Sequence, residues 1–142
     1  MALFSSNQVL VPIDFSKESN QALVDTLAFV EDPTKLHALH VLSPLEPTEP
    51  GIVWNTVDTP TRVEKVEAAF LEAFSEDAYR QVKFTVTTGN PSSGIIDYAE
   101  QNAIDLIVIP SSGRTGISRF FLGSVAERVV RFAKCPVLVV RG

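Results

Sequence analysis

The chain has 142 residues, 45% hydrophobic and 20% charged, with one cysteine and a formal net charge of -5. One domain spanning 1–142 fits that length; the composition argues against disorder, and an acidic chain without a basic, aromatic-studded stripe argues against nucleic-acid binding. Cys135 has no partner for an internal disulfide, and with only His37 and His40 beside it a Cys/His metal cage is out of reach. The start, Met-Ala-Leu-Phe-Ser-Ser, lacks the features of a signal peptide, and no apolar run nears the ~20 residues that span a bilayer. A cytoplasmic protein with no membrane insertion is expected.

Residues 9–13, Val-Leu-Val-Pro-Ile, form a short β-branched run that reads as a buried strand finishing at Pro12. Ser16 can cap a helix carrying Leu23, Leu27 and Val30, which Pro33 closes off. Residues 36–42 read as a second strand. Residues 43–60 hold four of the nine prolines and Trp54, with no surviving periodicity, so this long loop is a candidate lid or partner surface.

A second helix follows, with Val66, Ala69, Phe70, Ala73 and Phe74 on its apolar face. Val82, Phe84 and Val86 alternate as a third strand. Asn90-Pro91 caps and opens a third helix that buries Ile95, Ile96 and Ala99. Residues 104–109 and 136–140 read as strands four and five. The helix between them carries Phe121, Val125, Val129 and Phe132 at helical spacing.

Buried strands alternating with helices imply an α/β fold: a single open, doubly wound, five-stranded parallel sheet of order 3-2-1-4-5, Rossmann-like, with helices on both faces. A ligand crevice then belongs outside the carboxyl ends of strands one and four, where strand order reverses. Residues 12–16 and 110–124 line it, with His40 and Val41 alongside.

The 110–124 stretch is the most informative. Residues 111–142 carry six cations against Glu127, so this end is +5 while the rest is -10. Arg128, Arg131 and Lys134 are expected to solvate a helix face, whereas Arg114 and Arg119 add charge to the loop. Ser124-x-x-Glu127 is a capping-box pattern that places the helix start near Ser124. Amides at a helix start attract anions, and Gly113 and Gly116 permit the positive φ of a phosphate-cradling nest. A glycine-bearing connection that merely carries the chain from strand to helix is the plainer alternative.

These residues strongly resemble the universal stress protein family, Rossmann-like and close to the adenine nucleotide alpha hydrolases. Its ATP-binding branch carries glycine, two residues, glycine, nine residues, glycine, then serine or threonine. Gly113, Gly123 and Ser124 fit the second half, and Pro110 occupies the place of the first glycine. Val-Pro-Ile-Asp-Phe-Ser at 11–16, Leu-His-Val at 39–41, Gly-Asn-Pro at 89–91 and much of 123–140 extend the likeness.

The resemblance implies a stress-response protein that binds ATP or AMP, with or without Mg²⁺. Asp14, beside Pro12, would face the adenosine half, and Val41 would contact adenine through its backbone. Gly113, Gly123, Ser124 and the Val125 N–H would hold phosphates, with Ile109, Pro110, Ser112 and Arg114 completing the site. Asp14 also suits an Asx turn ahead of helix one. Pro110 has no N–H to donate, a loss that a hydroxyl or N–H of Ser111 or Ser112 would have to make good. His40 reads as a satisfied strand-end histidine rather than a ligand contact.

Catalytic constellations are thin: there is no Walker loop and no Gly-x-Ser-x-Gly, and the one His-x-x-His spacing, His37 and His40, falls within the second strand. A nucleotide-binding regulatory protein is therefore the first reading, a scaffold with an empty pocket the second, and a slow ATPase the third. The apolar edge Val137, Leu138, Val139 and Val140 would pair with its twin in a homodimer, as family members do. Cys135 reads as a small buried apolar residue.

Overall fold

A computed structural model of the protein describes residues 5–43, 59–111 and 122–141. Five parallel strands lie in the order β3-β2-β1-β4-β5: β1 (Val9–Pro12), β2 (Leu36–Leu42), β3 (Lys83–Thr88), β4 (Leu106–Pro110) and β5 (Val137–Val140). Among the described residues the connecting α-helices are α1 (Lys17–Val30), α2 (Thr59–Ala73), α3 (Pro91–Gln101) and α4 (Ser124–Phe132). This is the sheet order and crossover pattern expected from the sequence.

Because side chains alternate across a strand, the central strands feed two cores. Val9, Val11, Ile13, Leu106 and Val108 pack with Leu23 of α1 and with Phe70 and Phe74 at the end of α2. Leu10, Leu39, Ile107 and Ile109 pack instead with Ile95 and Ala99 of α3 and Val129 of α4. Phe70 lies flat against Phe84, centroids 4.1 Å apart, which anchors α2 to the β3 edge.

The caps of α1 and α3 follow the sequence closely. Ser16 Oγ accepts from the Ser19 amide at the start of α1, and Asn90 Oδ1 accepts from the Ser93 amide at the start of α3. Other details differ. Helix α2 begins at Thr59, inside the stretch read as loop, and on its expected apolar face Ala69 and Ala73 are exposed. Phe132 is also exposed, because α4 ends with it beyond the sheet-facing stripe. Strand β4 starts at Leu106: Ile104 follows the turn after α3, and its amide donates to Ala99 C=O.

His37, the second residue of β2, is buried and bonded on both ring nitrogens. Its Nε2 donates to Gln8 Oε1 (2.6 Å) and its Nδ1 accepts from the Tyr98 hydroxyl (2.7 Å), so the neutral ring satisfies both. Burial, assisted by Lys83, pushes the His37 pKa below the usual histidine value.

Candidate functional site

The switch point opens into a cleft of about 490 Å³. Its origin lies in the strand pairing. Strand β1 stays paired with β2 through Pro12↔Leu39, and β4 with β5 through Pro110↔Val140. Between β1 and β4 the register ends at Leu10↔Ile107.

Donor directions explain why. Ile13 N–H donates to Leu39 C=O, while Ile107 and Ser111 N–H donate to Pro136 and Val140 C=O. Alternation along each strand therefore turns the Pro12 nitrogen toward β4 and the Pro110 nitrogen toward β1. Neither proline has a hydrogen to give. Pro110 thus sits buried in a central strand without forfeiting a ladder bond to β5.

On the β4 side the cleft ends at α4. Gly123, buried, is the cap residue, and among the described residues no side chain caps the helix. The expected capping box does not form. Ser124 is the first helical residue, and Glu127 reaches forward to pair with Arg131 one turn on. The Gly123 amide is engaged by Ser111 C=O (2.7 Å), and Ser111 N–H by Val140 C=O (2.8 Å). Of the groups on Ser111, the hydroxyl is the one left to replace a donor missing at Pro110, and Ser112 lies outside the described residues.

The amides of Ser124, Val125 and Ala126 meet no acceptor among the described residues, and all three residues line the cleft. Unsatisfied first-turn donors with the helix dipole behind them form an anion-attracting end.

On the β1 side, Asp14 Oδ1 accepts from the Ser16 amide (2.9 Å), and the Asp14 amide donates to Ser19 Oγ (3.2 Å). The Asx turn weighed from the sequence is present. Phe15 takes φ 61° to complete the reversal, and its ring lies 5.3 Å from that of His40. His40 Nδ1 donates to Ile13 C=O (2.6 Å), tying β2 to the same turn. Val41 and Ser43 close the far end.

Of the sequence-derived site residues, the structure brings Pro12, Asp14, Val41, Ile109, Pro110, Gly123, Ser124 and Val125 to this one cleft. Ser112, Gly113, Arg114, Gly116, Arg119 and Phe121, and the 43–60 lid over 44–58, lie outside the described residues. Arg62, from the first turn of α2, also lines the cleft, and sequence analysis did not single it out. Its Nη2 donates to Ser43 C=O (2.9 Å). The signal available was its place: a cation at a helix N-terminus opposes the dipole, so it needs another reason to be there.

Arg128, Arg131 and Lys134 are exposed; Lys134 pairs with Glu100, and the Arg128 guanidinium lies 5.7 Å from the Phe132 ring centroid. Cys135 packs half-buried against the second core, its thiol pKa raised by burial. Among the described residues no three His, Cys, Asp or Glu side chains could jointly hold a metal, and no helix is long and apolar enough to cross a membrane.

Residues 6–141 match the family model described as the universal stress protein family. The universal stress protein YxiE of Bacillus subtilis is 32% identical, over 95% of this chain and 99% of that protein. The solved universal stress protein UspA from Lactobacillus plantarum superposes with a TM-score of 0.73 at 25% identity, covering 96% of this chain and 98% of that one. A universal stress protein family protein from Arabidopsis thaliana, solved with AMP bound, shares the fold at a TM-score of 0.60 and 18% identity, covering 95% and 91%.

Proposed function

This chain belongs to the universal stress protein family, and we propose that it binds an adenine nucleotide, ATP or AMP, in the cleft between β1 and β4 and acts as a regulatory protein rather than an enzyme. The observation that carries this reading is the open start of α4: three successive amides without acceptors among the described residues, facing a cleft of nucleotide size. The phosphates rest there. From β4 to β2 is two strand spacings, about 10 Å, which lets the base reach Val41 while the sugar lies near Asp14. A carboxylate beside phosphates would repel them, so Asp14 belongs at the sugar. The AMP complex of the Arabidopsis thaliana neighbour supports the same ligand class.

A divalent ion fits only as a companion of the phosphates. Asp14 is the sole carboxylate among the described lining residues, and it already accepts from Ser16. Occupancy would alter a surface that a partner reads in the cytoplasm during stress. The edge of β5, with Leu138 46% exposed, is the proposed contact of a two-fold homodimer.

Isothermal titration with ATP, AMP and cyclic AMP, with and without Mg²⁺, tests the reading, with timed phosphate release beside it. One-site binding without appreciable turnover is expected. Silence with all three nucleotides would leave only the scaffold reading.

A further inference from the structure

Arg62 is the only lysine or arginine among the described residues that line the cleft, and it stands at the end opposite the α4 amides. Its placement in the first turn of α2 costs dipole energy, and its guanidinium is tethered to the carbonyl of Ser43, two residues beyond Val41. A single bond to Ser43 uses one of five donors and holds the planar group at the cleft mouth. Two electropositive ends thus bracket one cavity. The α4 end suits phosphates. The Arg62 end is about two strand spacings away, too far for the same phosphates when the base points toward β2.

Resting on the nucleotide reading above, we propose that Arg62 is a base-contacting, specificity-determining residue: its guanidinium lies against the purine at the β2 end of the cleft. A guanidinium is planar, weakly hydrated and well matched to an aromatic face, whereas an ammonium is a compact, strongly hydrated point charge. The Ser43 bond pre-organises the group, so less side-chain freedom is lost on contact. Because α2 follows directly on the segment after Ser43, the same contact would report base occupancy to that helix.

The test is titration of the unaltered protein, Arg62→Ala and Arg62→Lys with adenosine, AMP, ATP and ribose 5-phosphate, after circular dichroism and urea melts establish equal folding. Arg62→Ala should weaken adenosine, AMP and ATP by the same factor, roughly 5- to 30-fold, at low and high salt alike, and leave ribose 5-phosphate unchanged. Arg62→Lys should recover only part of the loss. A loss that grows with the number of phosphates, or with falling salt, would make Arg62 a phosphate ligand and overturn the proposal. Unchanged affinities in Arg62→Ala would overturn it too, while leaving the nucleotide site intact. Failure of the unaltered protein to bind any nucleotide would instead remove the site reading, and this inference with it.

Discussion

Gly94 lies in α3 directly behind Val41, and a Cβ added there would stand 3.0 Å from Val41 Cγ2 and 3.2 Å from Cγ1. Carbon atoms pack best at about 3.5–4.0 Å, so both methyls are already too close. A rotamer change gives no relief, since each staggered position of a valine leaves a methyl facing the helix. Two effects then compete in Gly94→Ala. Alanine in a helix interior gains about 1 kcal/mol over glycine. Overpacking costs about 1–2 kcal/mol where the neighbours can give a few tenths of an ångström.

The net loss of stability should be small, about 0–1 kcal/mol. The strain has one easy outlet. Val41 is only half-buried and borders the cleft, so it shifts into the space proposed for the base. Nucleotide affinity, by titration calorimetry, should therefore fall several-fold while the urea midpoint hardly moves. A variant stabilised by the full helix gain, with binding unaltered, would refute the claim that α3 presses on Val41.

His37 should make the fold acid-sensitive. Its folded pKa lies below the unfolded value near 6.5, so the unfolded chain takes up the proton first; the stabilisation is complete above about 6.5 and is lost as pH falls toward the folded value. Imidazole titration by NMR checks this, and a His37 that charges at 6.5 or higher would contradict it. Gly123→Val should abolish nucleotide binding and cost about 1 kcal/mol through the weaker cap, yet leave the fold intact, because φ -61° and ψ 154° suit valine. Retained affinity in that variant would move the phosphate site elsewhere. Leu138→Arg places a charge on the exposed β5 edge and should convert the proposed homodimer to a monomer by light scattering; an unaltered mass would reject that edge as the contact.

Much of the architecture was legible because parallel strands buried on both faces leave uninterrupted apolar runs, as residues 36–42 do for β2. The misread start of β4 has a physical cause. An apolar run does not distinguish the strand from the buried turn that enters it, and Asp105 takes part in that turn by holding Ser5 and Gln8 rather than by lying in β4. The capping box failed for a competitive reason, since Glu127 has Arg131 one turn ahead and prefers it to the helix start. At the site, chain order and the switch-point rule located the β1, β2 and β4 termini. They could not reveal Arg62, which lies nineteen residues beyond Ser43 and is recruited by a backbone carbonyl rather than by a motif.

The facing prolines at 12 and 110 give the sheet a seam that cannot zip. Two adjacent parallel strands would ordinarily keep knitting toward their ends and seal the gap, but both residues that face it present ring carbons in place of hydrogen. The fissure is therefore written into the covalent chain and does not depend on an occupant to wedge it apart. Evolution could swap the guest, or dispense with one, and the doorway would still stand open.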